Sequence, residues 1–236
     1  MLKIAQIPRI IECSIIKRES LFTVLVRVEN NVYRALLRNT GRLVNLVKKN
    51  SKALCIPKFK GKTKYILLGV KTKDDLCSIL DTNYHMKLFE TLARSEVFPW
   101  IKGWTLEKRN PRAYDSILDY LIKSSEDKIG FIEVKSAVYS DGIYAMYPDA
   151  PSPRGIRHLK TLIKLREMGY RSIIVFIASY PGVEAFSPCV KISPEYAKLF
   201  REALSKGVEA YSFNVIMNSS GEVFLEKSHL PLNLPL

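Results

Sequence analysis

Residues 131–135, Phe-Ile-Glu-Val-Lys, place a glutamate and a lysine in a short apolar run. Side chains alternate along a strand with a period of two, so Glu133 and Lys135 would leave the same face. Residues 116–122 also read as a strand, and the polar residues 123–128 are short enough for a hairpin connection, which would put Asp119 beside Glu133. Two carboxylates and an ammonium group on one sheet face suit Mg²⁺- or Mn²⁺-dependent phosphodiester hydrolysis. Hard oxygen ligands hold such an ion, and lysine orients a water or offsets developing charge.

The same pattern also has a non-catalytic interpretation. A second Glu-x-Lys, Glu126-Asp127-Lys128, falls in the polar turn, where solvated charge explains it. Glu133 and Lys135 differ because apolar residues flank them, and an unpaired charge in apolar surroundings is costly. A strand with one solvated face would still account for them without catalysis. From the motif alone, both interpretations stay open.

Composition limits the classes of protein that fit. The chain has 236 residues, 47% of them hydrophobic, enough for one large domain or two small ones. It contains no apolar run of membrane-spanning length, and its first residues lack the apolar segment of a secretory signal. The four cysteines are scattered, without a CxxC pair. We therefore expect a cytoplasmic protein with reduced thiols, no zinc site and no membrane partner.

Positive charge is concentrated in the first third of the chain. Residues 1–80 carry 17 Lys and Arg against 5 Asp and Glu, a net of +12, whereas residues 81–236 carry 20 against 18, a net of +2. This asymmetry predicts a polyanionic partner, a nucleic acid, bound through salt-sensitive and largely sequence-independent contacts. The alternative is a basic protein whose charge serves only solubility.

The first 80 residues show the pattern of a small barrel. Strands are predicted near 15–16, 21–28, 32–37, 52–57 and 65–70, with one or two helical turns at 43–47. Five short strands with a small helix between the third and fourth match an OB-like barrel, a fold that commonly binds nucleic acid. Lysines alternate with Phe59 and Tyr65 in the segment 58–65, which is either a binding surface or a solvated hairpin tip.

Residues 81–236 are predicted to form an α/β domain with a central mixed sheet. Strands are predicted at 142–147, 173–178 and 208–217, and helices at 81–93, 194–206 and from the N-cap Ser152 to Gly169. Residues 173–178 are wholly apolar, which is typical of a central strand buried on both faces of a sheet. Glu90, on the first helix, either reaches a metal or is surface charge. His158 either contacts phosphate or is hydrogen-bonded in the packing.

Several motifs together resemble the sugar fermentation stimulation protein A family across nearly the whole chain. Asp119, Glu133-Val134-Lys135 and the following Arg154-Gly155 helix also resemble the PD-(D/E)XK nuclease-like core. The matching pieces, in register, are Asn39-Thr40-Gly41-Arg42, Asp119-Tyr120-Leu121, Glu133-Val134-Lys135, Tyr147-Pro148-Asp149-Ala150, Arg154-Gly155, His158-Leu159 and Ser193-Pro194-Glu195-Tyr196-Ala197.

The resemblance implies an OB-like domain over 1–80, a PD-(D/E)XK restriction-endonuclease-like domain over 81–236, DNA binding and a link to regulation of sugar metabolism genes. It implies that Asp119 and Glu133 bind Mg²⁺ or Mn²⁺ while Lys135 positions the attacking water, with Glu90 as a further candidate ligand. The chain departs from the family at Ile117, where a basic residue is usual, and at Asn110, where a glutamate is often found upstream. The predicted nucleic-acid contacts are Arg38, Asn39, Arg42, Lys58, Lys60, Lys62, Lys64, Arg154, Arg157 and His158.

Three functions follow from these observations. The first is a metal-dependent DNA endonuclease or exonuclease. The second is a non-catalytic DNA-binding transcriptional regulator on a degenerate nuclease core, and the third is an RNA-binding or nucleotide-sensing barrel. DNA binding is common to the first two, and a homodimer is compatible with each.

Overall fold

The computed structural model describes residues 1–235 and divides into a small closed barrel and a mixed sheet with helices on both faces. The strands are β1 (Leu2–Gln6), β2 (Ile11–Ser20), β3 (Thr23–Val28), β4 (Asn31–Leu36), β5 (Lys52–Pro57), β6 (Tyr65–Lys73), β7 (Leu76–Ile79), β8 (Trp104–Arg109), β9 (Arg112–Ala113), β10 (Ser116–Ile117), β11 (Tyr120–Ser124), β12 (Ile129–Ala137), β13 (Tyr139–Ser140), β14 (Tyr144–Tyr147), β15 (Arg171–Ala178), β16 (Ala185–Pro188), β17 (Glu209–Asn218) and β18 (Glu222–Lys227). The helices are α1 (Thr82–Arg94), α2 (Pro153–Glu167) and α3 (Pro194–Ser205), with a short 3-10 helix at Pro99–Ile101.

Strands β2 to β6 close the barrel, pairing in the ring β2–β3–β4–β6–β5 and back to β2. The alternation along β3 shows why it forms: Val24, Val26 and Val28 are buried, whereas Arg27 between them is exposed. Closure leaves the ring without a free edge. A single turn at residues 43–47 joins β4 to β5. The predicted OB-like barrel is therefore confirmed.

The second unit is a mixed sheet in the order β7-β17-β15-β12-β11-β8. Strands β12, β15 and β17 are parallel, and β11 and β8 extend the sheet antiparallel. Helix α1 packs on one face, while α2 and α3 cover the other. Because both faces are covered, β15 is apolar and buried almost throughout, as the sequence predicts. No helix within residues 1–235 is long and apolar enough to span a membrane.

Side-chain caps define where the helices begin. The Asp81 carboxylate accepts hydrogen bonds from the backbone N–H groups of Asn83 and Tyr84, and the Ser152 hydroxyl accepts one from Gly155 at 3.0 Å. Such caps satisfy N–H groups that have no partner within the helix. Helix α2 ends before Gly169, whose φ of +89° is a conformation that glycine adopts without steric cost. The predicted ends of α2 are thus close to the observed ones.

The strand predicted at 116–122 is interrupted. Ser116 and Ile117 form β10, which pairs with β9 in a separate two-stranded hairpin, and β11 begins only at Tyr120. The break is stabilised by the backbone N–H of Leu118, which donates to the carbonyl of Pro111 at 3.1 Å. Asp119 therefore lies in the short gap between two strands.

The predicted first domain, residues 1–80, needs a correction at its start. Strand β1 pairs with β18 of the second unit, with Leu2 opposite Leu225, and not with the barrel. There it covers the edge of β18, and Ile4 and Ala5 pack against the core of the main sheet. At the other boundary, β7 pairs with both β6 and β17, so hydrogen-bonded strands run from the barrel into the main sheet. All four cysteines are free and buried.

Candidate active site

Strands β11 and β12 bring Asp119 and Glu133 together. Tyr120 lies opposite Ile132 in the antiparallel pair, so the residue before Tyr120 lies beside the residue after Ile132. The Asp119 Oδ2 atom accepts a hydrogen bond from the Val134 backbone N–H at 2.7 Å. This bond takes the place of a strand-to-strand bond at the point where the β11 pairing ends. It holds the carboxylate at the edge of β12.

Glu133 lies at the centre of a buried group of charges. Its side chain is 3% exposed, and its Oε1 atom accepts hydrogen bonds from Lys135 Nζ and, at 2.5 Å, from His158 Nδ1. Its Oε2 atom is buried and has no hydrogen-bond partner among the described residues. Buried polar atoms are nearly always paired, so the Oε2 atom has hydrogen-bonding capacity left for a further group. Lys135 lies on the same face as Glu133, as the period of two predicts, and its Nζ atom is 6.0 Å from the Tyr147 ring centre.

The surroundings shift the ionisation of all three residues. Burial and the negative charge of Glu133 raise the pKa of Asp119 to about 7. Burial alone would raise the pKa of Glu133, but Lys135 and His158 outweigh it, and the pKa of Glu133 is lowered. Burial opposes the charged form of Lys135, yet Glu133 and Tyr147 raise its pKa. The cluster therefore keeps an ionised Glu133 and Lys135 next to a carboxyl group that ionises near neutrality.

The cluster opens into a cleft between the two units. The cleft has a volume of about 460 Å³, and both the barrel and the main sheet contribute to its walls. Asp119 also faces a second, smaller cleft of about 270 Å³ near the start of α1. The main cleft is lined by Phe22, Leu36, Leu37, Arg38, Asn39, Thr40, Gly41, Thr82, Asp119, Glu133, Val134, Lys135, Ser136, Tyr147, Ser152 and Arg154.

Glu90, the further candidate metal ligand, is bound by two neighbouring side chains. Its carboxylate accepts hydrogen bonds from the Arg109 guanidinium and, at 2.7 Å, from the Tyr120 hydroxyl. Both oxygens are thus engaged, one by Arg109 of strand β8 and the other by Tyr120 of strand β11. Within residues 1–235, no group of three His, Cys, Asp or Glu side chains is arranged to hold a metal ion. Asp119 and Glu133 remain as the acidic pair.

The predicted nucleic-acid contacts separate into two groups. The side chains of Arg42, Lys60, Lys62, Lys64, Arg154 and Arg157 are exposed, and those of Arg38 and Lys58 are partly exposed. Arg38 and Arg154 line the cleft, and Arg38 also pairs with Asp81 at 3.3 Å. These side chains are accessible to a polyanion.

Asn39 and His158 are buried and make structural contacts, a role that the sequence had left open for His158 beside phosphate contact. The Asn39 amide donates to the Leu80 carbonyl at 3.1 Å and its oxygen accepts from the Gly41 N–H at 2.9 Å, which shapes the loop after β4. His158 is 2% exposed and donates to Glu133, while its Nε2 atom accepts from Arg154 at 3.3 Å. Both ring nitrogens of His158 are therefore engaged by side chains of the site.

Three further residues that shape the cleft or its loop were not among the predicted site residues. The Asp149 carboxylate accepts from the Leu43 backbone N–H at 2.9 Å and so ties the main-sheet unit to the barrel loop. Arg18 donates to the carbonyls of Gly41, at 2.6 Å, and of Arg42, at 2.8 Å, and shapes the same loop. Phe22 lines the cleft. Asp149 is 106 residues from Leu43, so no local pattern could have revealed that contact.

A closed basic barrel joined to a helix-covered mixed sheet, with an Asp-Glu-Lys group at their junction, defines a two-domain protein of the OB and restriction-endonuclease-like class. The family model for the sugar fermentation stimulation protein RE domain matches residues 83–221, and the model for the SfsA N-terminal OB domain matches residues 16–79. The chain belongs to the sugar fermentation stimulation protein family.

Relatives match over nearly the whole chain. A sugar fermentation stimulation protein homolog of Pyrococcus furiosus is 42% identical over 94% of this chain and 96% of its own length. One of Archaeoglobus fulgidus is 36% identical over 97% and 98%. The solved structure of Pyrococcus furiosus SfsA in complex with Ca²⁺ has a TM-score of 0.94, 41% identity, and coverage of 99% of this chain and 100% of that one. The predicted family and fold are confirmed.

Proposed function

We propose that this chain binds DNA and hydrolyses its phosphodiester bonds with the help of a divalent cation, Mg²⁺ or Mn²⁺, held by Asp119 and Glu133. The observation that carries the proposal is the buried Glu133 carboxylate beside Asp119 in an open cleft: one of its oxygens is paired, and the other has no partner within residues 1–235. Buried charges add little to stability, so their retention favours a functional role. Perturbed ionisable groups gathered in a cleft are typical of catalytic sites.

The available oxygen atoms fit a hard divalent cation. Asp119 and Glu133 supply carboxylates, and their charges repel each other unless a cation lies near both. The Val134 N–H faces Asp119. Because the N–H and C=O groups of one strand residue point to the same edge of the strand, the Val134 carbonyl provides a third oxygen on the Asp119 side of β12. A relative was solved in complex with Ca²⁺, an ion that also takes oxygen ligands, which supports a divalent cation as a ligand of this chain. When bound, Mg²⁺ or Mn²⁺ polarises a phosphoryl group and lowers the pKa of water.

The remaining residues of the site have separate tasks. The Lys135 ammonium lines the cleft and can orient the attacking water or offset negative charge that develops on phosphoryl oxygens. His158 is a positioning residue, because it does not line the cleft itself but binds Glu133 and Arg154, which do, and it fixes the direction of the Glu133 carboxylate. Arg154, exposed at the cleft, supplies positive charge for a substrate phosphate.

The positive charge of the barrel supports a polyanionic partner, for which we propose DNA. Most of the excess charge of the chain lies in residues 1–80, which carry a net of +12. The loop between β5 and β6 presents Lys58, Lys60 and Lys62, and Arg38 carries positive charge into the cleft itself. Binding through such contacts releases counterions and weakens steeply with salt.

A second function, DNA binding without cleavage, is favoured by one observation. Metal-dependent nucleases commonly use several ligands, and the described residues provide no group of three acidic, histidine or cysteine side chains for a metal. In that case the barrel and the cleft would hold DNA, and the Asp119 and Glu133 carboxylates would be a remnant of a catalytic site.

Cleavage assays on supercoiled plasmid and on single-stranded and duplex oligonucleotides, with Mg²⁺, Mn²⁺ or EDTA, decide between the two functions. We expect metal-dependent cleavage that Asp119→Asn lowers by about 100-fold or more, since a metal ligand is lost while the amide oxygen still accepts from Val134 N–H. Glu126→Gln, in the exposed second Glu-x-Lys, is the matched control and should cleave normally. Salt-sensitive DNA binding without cleavage under any metal would establish the second function, and cleavage unchanged in Asp119→Asn would exclude this site.

A further inference from the structure

Phe22 lies at the rim of the candidate active site with its ring half exposed. It is at the tip of the hairpin between β2 and β3 and is 50% exposed, yet it lines the same cleft as Glu133 and Lys135. Phe22 differs from the other exposed apolar side chains because it lines this cleft, where its ring face is available to a ligand. Neither the barrel core nor the proposed hydrolysis assigns a task to this side chain.

The backbone around Phe22 is held firmly in place. The Phe22 carbonyl accepts from the Leu37 N–H at 2.9 Å, and the Phe22 N–H donates to the Ser20 hydroxyl at 3.3 Å. Arg18 donates to the Leu21 carbonyl at 2.9 Å and to the Gly41 carbonyl at 2.6 Å, which joins the hairpin tip to the loop after β4. A ring on such a support is pre-organised, so a ligand stacked on it loses little ordering entropy.

The walls of the cleft are fastened to each other. Besides the Asp149–Leu43 hydrogen bond, the Asn45 amide donates to the Ser140 carbonyl at 2.8 Å across the two units. The volume of about 460 Å³ is that of a site for one small molecule, which is far less than a turn of duplex. This volume and these contacts favour a single strand over a duplex inside the cleft.

We propose that the substrate of this site is single-stranded DNA, with one unpaired base stacked on the Phe22 ring. The inference rests on the proposed function and adds the form of the substrate. The Phe22 ring can stack on a base only when the face of that base is not already covered by a neighbouring base pair, as in a single strand. The sugar-phosphate chain of that nucleotide would then run between Arg38 of the barrel and Arg154 of α2, past Asp119 and Glu133.

Equilibrium binding in EDTA tests the inference apart from catalysis. Fluorescence anisotropy compares a labelled oligo-dT with a blunt duplex of equal length for the wild type, Phe22→Ala, Phe22→Trp and Leu21→Ala. We expect Phe22→Ala to weaken oligo-dT binding by about 5- to 100-fold, Phe22→Trp to restore it, and duplex binding to change less than about twofold. Leu21→Ala is the matched control, because Leu21 is 49% exposed on the same tip but does not line the cleft. Both side chains are exposed, so the variants should unfold like the wild type.

Two results would overturn the inference. Oligo-dT binding by Phe22→Ala that equals the wild type, or a loss of equal size for oligo-dT and duplex, would show that Phe22 does not stack on an unpaired base. In either case the wild type still binds DNA, and the proposed function stands. A wild type that binds neither oligonucleotide would remove the proposed function itself, and this inference with it.

Discussion

Asp119 and His85 should make the stability of the protein depend on pH in opposite directions. Burial raises the pKa of Asp119 from 3.8 to about 7, with Glu133 adding to the shift. Burial lowers the pKa of His85, on α1, from 6.5 to about 4. His85 is 1% exposed, its Nδ1 atom is 2.9 Å from the Ser136 hydroxyl, and its Nε2 atom has no partner among the described residues.

The signs follow from which state holds the proton. Between pH 4 and 7, folded Asp119 keeps a proton that the unfolded chain has lost, so stability falls as the pH rises. Between pH 4 and 6.5, folded His85 lacks a proton that the unfolded chain holds, so stability rises with pH. Each group contributes a slope of up to about 1.4 kcal/mol per pH unit. In the wild type the two slopes largely cancel.

Single substitutions should reveal each slope. Without metal, the free energy of unfolding of His85→Asn should lie below that of the wild type at pH 6.5. This deficit should shrink by about 1 kcal/mol per pH unit as the pH falls to 4. Asp119→Asn should gain stability relative to the wild type as the pH rises over the same range. Urea unfolding in EDTA at half-unit steps of pH measures both differences, and the double variant serves as the reference. Parallel stability curves for the wild type and either variant would refute the reasoning.

Two further predictions concern the carboxylates of the site and its surroundings. Glu133→Gln should lower the free energy of unfolding in urea by about 3–5 kcal/mol, because it leaves Lys135 buried without its carboxylate, and adding Lys135→Met should recover most of this loss. A double variant no more stable than Glu133→Gln would contradict this. Glu90→Gln should keep the wild-type cleavage rate and lose about 1 kcal/mol, since Arg109 is largely exposed; a large fall in cleavage would restore Glu90 as a metal ligand.

Local patterns predicted the elements that carry the site. The period of two placed Glu133 and Lys135 on one face, and the structure has them there, facing α2. The short hairpin between β11 and β12 predicted the position of Asp119, since a hairpin register follows from its connection. Ser152 and Gly169 marked the ends of α2 because capping depends on neighbouring residues only.

Contacts distant in sequence could not be predicted in this way. Strand β1 pairs with β18 across the whole length of the chain, and Asp149 reaches the barrel loop through the fold. Glu90 was predicted as a further metal ligand. Its position on a helix does not show which cation lies opposite, and in the structure the Arg109 guanidinium donates to its carboxylate. Sequence reasoning likewise treated the barrel as a separate binding module, whereas Phe22 and Arg38 line the cleft of the acidic pair.

The shared cleft has a consequence for how such a protein can evolve. A binding module joined by a loose linker can be exchanged or lost while the catalytic domain continues to work. Here the loop after β4 forms a wall opposite Glu133, and a side chain larger than hydrogen at Gly41 would collide with the Asp149 carboxylate. Substitutions in the barrel loop therefore alter the shape of the cleft directly, and the two units must change together.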